Sequence, residues 1–282
     1  MLPAPHDPAE RKVVSLMFKR LRRQASRQGQ DGARRAAPAA AGVRGRVPDG
    51  RRIYAIGDIH GRSDLLDRLH EMIREDARRA GEPDKVIVYL GDLVDRGMDS
   101  RGVIEQLLEG PPDGFSAVHI LGNHEAAMLD FLEDSSIGPH WMVNGGDMTL
   151  YSYGVPVPRN AVGGGPEFVD ARKALIEKLP EAHLRFLKDM VLAHEAGDYL
   201  FVHAGIRPGV PVAQQDPQDL LWIREPFLSS TADLGRIVVH GHTITPEVEE
   251  RANRIGVDTG AYHTGRLTAL VLSGDRRSYL HT

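Results

Sequence analysis

The chain has 282 residues, 41% of them hydrophobic, a net charge of −4 and no cysteine. The length exceeds one average domain but suits a single large α/β or sandwich domain carrying a tail, and the missing cysteine excludes disulfides, thiolate metal sites and cysteine nucleophiles. Any metal must then be held by histidine, carboxylate or amide groups, and without an apolar run of about 18 residues or a signal-peptide pattern a cytoplasmic, soluble protein is expected.

Charge is unevenly spread. Residues 1–52 hold thirteen Lys/Arg against four Asp/Glu, a net +9, which leaves −13 for the rest. Within that extension "RKVVSLMFKRLRRQ" sets Val14, Met17, Phe18 and Leu21 at helical spacing among Lys19, Arg20, Arg22 and Arg23. It reads either as a basic amphipathic helix resting on an anionic membrane or nucleic acid, or as a solvated extension; the second is preferred. Residues 32–50, "GARRAAPAAAGVRGRVPDG", lack periodicity and read as a flexible linker. The expected division is extension and linker over 1–50 and a catalytic domain over 51–282.

From Ile53 onward short β-rich runs alternate with helical stretches, which predicts an α/β fold. "IYAI" ends at Gly57, and "SDLLDRLHEMIREDARRA" follows as a helix capped by Ser63 with a stripe through Leu66, Leu69 and Ile73. "VIVYL" ends at Gly91, "SRGVIEQLLEG" is helical, "AVHIL" ends at Gly122, and "EAAMLDFLED" is helical again. Residues 135–190 break the rhythm: a loop-rich part up to Pro166 precedes a helical part, and together they read as an insertion over one end of the sheet. "YLFV" then ends at His203 and "IVVH" at Gly241, while "RIGVD" and "LTALVL" suggest a closing hairpin or meander.

Five apolar runs end alike, in "AIGDIHG", "LGDLVDRG", "LGNHE", "FVHAG" and "VHGHT". Each finishes in a glycine-flanked polar residue of the kind that binds hard or borderline divalent cations, and glycine lets the following side chain turn back over a stiff strand tip. Asp58 and His60, two apart on an extended segment, project to one side; Asp92 can bridge two ions; Asn123 offers an amide oxygen, and His203 and His242 imidazoles. That arrangement predicts Asp58, His60 and Asp92 on one ion and Asp92, Asn123, His203 and His242 on a second. The ligand types accept Mn²⁺, Fe or Zn²⁺, with Mn²⁺ expected.

The signatures "GDIHG", "GDLVDRG" and "GNHE", in this order between Ile53 and about Leu272, resemble those of the calcineurin-like metallophosphoesterases, in the phosphoprotein phosphatase branch with its bacterial and phage members. The resemblance implies a central β-sandwich flanked by helices. Many of the wider superfamily end in GHxH; "GHTI" puts Ile244 at that place, as the phosphoprotein phosphatases do. Two ions about 3.5 to 4 Å apart can share a water whose pKa falls toward 7, giving a hydroxide that attacks phosphorus directly. His124 is then expected to protonate the leaving alkoxide, facing away from the metals because it follows Asn123 on an extended segment, with Asp95 orienting it. Arg96 and Arg224, the latter in a stretch resembling bacterial relatives, are expected to clamp phosphate oxygens.

Other polar residues are given structural roles: Glu125 at a helix N-terminus, Asp258 in a turn beside the site, His240 in the core or behind the ligands, His194 at the surface, and no function for His70, His119, His183 or His263. Trp141, Tyr151 and Tyr153 either line a substrate groove or hold the insertion together. The expected activity is removal of phosphate from phosphoserine or phosphothreonine in proteins. Hydrolysis of a phosphoanhydride such as diadenosine tetraphosphate, whose hydrolases share the motifs and "HAGI", is the alternative. A metal-bound scaffold or nucleic-acid adaptor would need a degraded site, and a nuclease is disfavoured by Ile244.

Overall fold

A computed structural model describes residues 45–159 and 165–282. The basic helix expected around 14–23 and most of the linker lie outside the described residues. Residues 45–50, read as the linker's end, are instead seated on the body. Val47 is buried and its N–H donates to Gly274 O, while Arg46 O accepts from Asp198 N. Val47 is the one aliphatic side chain there large enough to anchor, and composition averaged over 19 residues hides it.

Among the described residues ten strands form two five-stranded mixed sheets. The first runs β10 (Arg276–His281), β9 (Thr268–Ser273), β1 (Arg51–Ile56), β2 (Asp84–Tyr89), β3 (Phe115–His119), with β1, β2 and β3 parallel and β9 antiparallel to both neighbours. The second runs β4 (Ala193–Ala196), β5 (Tyr199–Val202), β6 (Ile237–His240), β8 (Arg254–Gly256), β7 (Glu249–Glu250), with β5, β6 and β8 parallel. "RIGVD" and "LTALVL" therefore make no hairpin. They belong to different sheets, and β9 pairs with β1 and with β10, a half-exposed edge strand whose weak apolar pattern concealed it.

Alternation along the strands divides the core, because side chains two apart share a face. Ile53, Ala55, Val86, Val88, Leu270 and Leu272 face the second sheet's Tyr199, Phe201, Val239 and Ile255. Tyr54, Ile56, Ile87, Tyr89, Ala269 and Val271 face the helices. Helices α1 (Ser63–Ala80), α2 (Ser100–Glu109) and α3 (Asn123–Glu133) cover that side. In α1, Leu66, Leu69 and Ile73 are fully buried, each contributing about 2 kcal/mol. Ser63 does not cap α1; its hydroxyl donates to Asp99 Oδ2, and Asp99 in turn caps α2 by accepting from Gly102 N. The second sheet's outer face is closed by Ile206, Leu220, Ile223 and Phe227. The result is the expected β-sandwich flanked by helices. Among the described residues no helix is long and apolar enough to cross a membrane.

The loop-rich reading of the insertion is corrected. Residues 135–152 are almost continuously helical, broken where Gly145 adopts φ 102°, and Pro166–Lys178 and Glu181–Asp189 follow as helices. Short turns separated by Pro and Gly carry no regular apolar period, so the sequence pattern misleads. Ile137, Trp141, Leu150, Phe168 and Leu175 join the core under α1 to α3, which makes the insertion a continuation of the helical layer. His194, expected before the strand and at the surface, sits within β4, half-buried against Phe201.

Candidate metal centre

Parallel strands carry their C-terminal ends to one edge of the sandwich, where loops after β1, β2, β3, β5 and β6 deliver Asp58 and His60, Asp92, Asn123, His203 and His242. All six side chains are buried. Two loops are stitched directly together: Asp92 O accepts from Ile59 N and His60 N at 3.0 and 2.8 Å, and Leu93 O accepts from Gly61 N. The non-glycine residues with positive φ among the described ones are His60, Asp92, Asp95, Arg96 and His242, so the left-handed backbone is concentrated at this site. Such conformations cost about 1 kcal/mol or more each and persist where surrounding bonds over-determine them. Packing is tight enough that a Cβ on Gly122 would stand 2.2 Å from Asp92 N.

Asp92 is the hub. Its Oδ2 lies 3.7 Å from His60 Nε2, 3.8 Å from His124 Nε2 and 3.4 Å from His203 Nε2. His203 Nε2 also stands 2.9 Å from Asn123 Oδ1 and 3.2 Å from His242 Nδ1. The Nδ1–H of His60 is directed to Val94 O and that of His203 to Leu90 O, each at 2.8 Å, so both Nε2 atoms present lone pairs inward. Around His203 acceptors thus face acceptors, whereas His60 Nε2 also meets Arg96 Nη1; His242 Nε2 has no partner. Two clusters sharing Asp92 emerge, His60–Asp92–His124 and Asp92–His203–His242, each compact enough to surround a cation. The donor set fits two divalent ions.

Three details differ from expectation. Asp58 stands beside the clusters, not within them: both its carboxylate oxygens accept from His242 N, at 3.1 and 3.0 Å. Burial, with Asp258 and Asp92 as neighbouring like charges, pushes its carboxyl well above the usual range. Asp258, also raised by burial, receives Gly260 N, as a turn residue does, and lies against Asp58. Asp58 and His60 are brought together by a turn, His60 having φ 47°, not by an extended segment. Likewise Asn123 and His124 open α3, so the extended-segment argument for His124 fails; its Nε2 faces Asp92.

His124 Nδ1 lies 2.8 Å from Asp95 Oδ2. Burial disfavours charge on this imidazole, but Asp92 and the hydrogen bond to Asp95 outweigh it and lift its pKa above the ordinary value. For Asp92, burial is likewise outweighed, by His203 and His124, and the carboxyl sits well below its usual range. Arg96 Nη1 donates to His60 Nε2 at 2.8 Å, and its guanidinium lies over the Tyr262 ring, 5.1 Å from the centroid. Arg224 is exposed; burial first, then the charges of His203 and Arg224, hold His242 well below the ordinary imidazole range, which places Arg224 within electrostatic reach of the site.

Comparison with known proteins agrees with this architecture. A family model described as calcineurin-like phosphoesterase matches residues 51–270. The chain belongs to the calcineurin-like phosphoesterases. Among relatives of this phosphoesterase, serine/threonine-protein phosphatase 1 of Salmonella typhimurium is 29% identical over 223 residues, covering 77% of this chain and 90% of that protein. A symmetrical bis(5'-nucleosyl)-tetraphosphatase of Dechloromonas aromatica is 31% identical over 158 residues, covering 55% of this chain and 44% of that one. A crystal structure of a candidate diadenosine tetraphosphatase shares the fold, with a TM-score of 0.58, 22% identity, and coverage of 86% of this chain and 96% of that chain.

Sequence reasoning missed four contributors to this phosphoesterase site. Glu125 does more than face a helix end: its carboxylate accepts from Asp92 N, Leu93 N, Val94 N and Gly122 N and so fixes the loop that carries Asp92. Tyr262 supports both Arg96 and His60, whose ring it meets edge-on at 5.5 Å. Trp141 and Thr149 bond Asp95. The glutamate in "GNHE" was a visible signal and Trp141 was offered as a groove aromatic, but nothing in the sequence marked Trp141 and Thr149 as partners of Asp95 or Tyr262 as a partner of Arg96 and His60. Tyr153 is buried and bonded to His183, while Tyr151 is exposed, so of the aromatics offered for a groove two serve the interior.

Proposed function

We propose that this metal-dependent phosphatase hydrolyses phosphate monoesters on serine and threonine side chains of proteins. The observation that carries the reading is a set of three serine/threonine-protein phosphatases, each alike through 77% of this chain and 90–91% of its own length, whereas the symmetrical tetraphosphatases match through 55% or less and an asymmetrical one through 76% at 27% identity. Exposed apolar side chains of Met98, Val143 and Ile244, near in sequence to Arg96, Gly145 and His242, offer contacts for a peptide's flanking residues.

With Asp58, which stands just beside the compact cluster, taking the place that His124 holds in it, Asp58, His60 and Asp92 would hold one divalent ion and Asp92, Asn123, His203 and His242 the other, with Mn²⁺ the expected metal. When bound, such a pair neutralises phosphoryl oxygen charge and acidifies water. Arg96 and Arg224 hold the remaining phosphate oxygens. His124, with its Nδ1–H held by Asp95, delivers the proton on Nε2 to the departing alkoxide oxygen.

The 31% identity to a tetraphosphatase supports a second reading, hydrolysis of nucleotide phosphoanhydrides. Turnover of phosphoserine and phosphothreonine peptides, compared with diadenosine tetraphosphate at equal Mn²⁺, separates them. A preference for the peptides is expected; a hundredfold preference for the dinucleotide overturns it.

A further inference from the structure

The insertion lies outside the metal ligands, yet two of its side chains complete the hydrogen bonds of one carboxylate in the site. Asp95 is fully buried, with φ 72°. Its Oδ2 accepts from His124 Nδ1 and from Trp141 Nε1, each at 2.8 Å. Its Oδ1 accepts from Thr149 Oγ1 at 2.6 Å, and its backbone N–H donates to the hydroxyl oxygens of Ser100 and Thr149, both at 3.0 Å. Thr149 thus grips Asp95 at both ends. Trp141 is itself held: it is wholly buried, packs on Phe131 with centroids 4.9 Å apart, and leaves no room for a Cβ on Gly146, which would stand 2.5 Å from the indole.

From this geometry we infer that Trp141 and Thr149 are positioning residues, which act through Asp95 to aim His124 Nε2 at the leaving oxygen of the substrate. The inference rests on the proposed acid role of His124. A carboxylate that loses one of two competing donors, or its opposite anchor, gains freedom to rotate, and the imidazole it orients moves with it. Misplacing a proton donor by a fraction of an ångström matters in proportion to how much the leaving group needs the proton. In the step concerned the P–O ester bond breaks, water supplies the new oxygen on phosphorus, the alkoxide takes the proton from His124 Nε2, and solvent returns one to that nitrogen. An activated aryloxide leaves without it.

That dependence gives the test. The full-length, Mn²⁺-loaded protein and its Trp141→Phe, Thr149→Val and Thr149→Ser variants are assayed on a phosphoserine peptide and on 2,4-dinitrophenyl phosphate, alone and combined with Asp95→Asn. Trp141→Phe and Thr149→Val are each expected to lower kcat on the peptide about tenfold with KM within about twofold, and to change the activated ester less than about twofold. Thr149→Ser, which keeps the hydroxyl, restores peptide turnover. On the Asp95→Asn background Trp141→Phe adds less than about twofold, because the route through Asp95 is already cut. Equal losses on both substrates, or losses that multiply with Asp95→Asn, overturn the inference. His124→Asn separates the two levels: if it too lowers both substrates equally, the acid role of His124 falls, whereas if its loss is confined to the peptide and that of Trp141→Phe is not, only the positioning role falls. Thermal unfolding confirms folding, and Thr149→Val, nearly isosteric, carries the test should Trp141→Phe not fold.

Discussion

In the proposed mechanism the strand-end pocket and the helical insertion serve the same chemistry by opposite means. The pocket draws its polar groups from five loops across two sheets, holds them on left-handed backbone at five non-glycine positions, and braces them with a glutamate that accepts four N–H groups. Residues 135–189 hold none of the proposed ligands and no non-glycine residue with positive φ among those described; their role is to fill the helical layer and to reach one carboxylate through Trp141 and Thr149. A metal centre needs stiffness at the ligands themselves, whereas a proton donor can be aimed from farther away through hydrogen bonds. Substitutions in the pocket should therefore abolish turnover, and substitutions in the insertion should grade it.

The sharpest break is expected at the hub. Asp92→Asn keeps the shape of the side chain, and an oxygen can still accept from His124 N, but it removes the negative charge shared by both clusters. Turnover of an aryl phosphate with Mn²⁺ should fall by about a thousandfold or more, roughly 4 kcal/mol of transition-state stabilisation, with bound metal reduced in parallel. Full activity with full metal content would show that Asp92 holds no ion.

Glu125 probes whether the strained loop is braced as described. Its carboxyl, pushed up to about 7 by burial and by Asp92, is the acceptor for Asp92 N, Leu93 N, Val94 N and Gly122 N. Glu125→Ala leaves four buried donors to whatever water can enter, and should cost about 3 kcal/mol of stability by denaturant titration, together with most of the activity. Glu125→Gln, which keeps two lone pairs on one oxygen and loses the other acceptor, should fall between. Wild-type stability in the alanine variant would mean that the loop is held by other bonds.

How far these regions were legible differs for the same reason. Asp58, His60, Asp92, Asn123 and His242 stand next to glycines at strand ends, and His203 two residues before one, where steric need and ligand chemistry both restrict the residue type, so the motif is short and local. The fate of "RIGVD" and "LTALVL" was not legible, because sheet membership depends on long-range pairing that two apolar runs do not encode. Trp141 and Thr149 were illegible as partners of Asp95, since they lie 46 and 54 residues away and any aromatic or hydroxyl at those places reads equally well as core. The extended-segment argument reached the right neighbourhood for His124 by the wrong geometry: α3 begins at Asn123, and no apolar period starts there to announce it.

At the seam between the two regions Asp130 offers a pH test. It is buried near the C-terminal end of α3, its Oδ2 has no hydrogen-bond partner, and burial together with Glu133 and Asp134 pushes its carboxyl up to about 8. The folded state therefore keeps the proton that the unfolded chain releases near pH 4. This group's contribution is fully present below about pH 4 and is lost as pH rises toward 8, a decline of about 2 kcal/mol after allowance for relaxation. Asp130→Asn should flatten that part of the stability profile in metal-free protein. An unchanged slope would assign the pH dependence to other buried groups.

The gentlest test asks whether the insertion also places Arg96. Gly145 has φ 102°, its carbonyl accepts from Arg96 N at 3.0 Å, and a Cβ there would stand 2.7 Å from Arg96 Cγ and 2.8 Å from its backbone N. Gly145→Ala must therefore tolerate a left-handed backbone and also displace the arginine stem, at a cost of about 1 to 2 kcal/mol in stability. Because the guanidinium also rests at its far end on the Tyr262 ring, the stem can yield while the head is retained at a changed angle. The expected result is a rise of about tenfold in KM, equivalent to about 1.4 kcal/mol, with kcat nearly unchanged, since a phosphate clamp holds ground state and transition state alike. That split is the reverse of the one expected for Trp141→Phe, so the two variants together distinguish an insertion that aims the proton from one that also sets the clamp. A loss confined to kcat in Gly145→Ala would mean that the turn at Gly145 acts on Asp95, one residue from Arg96, and not on the arginine itself.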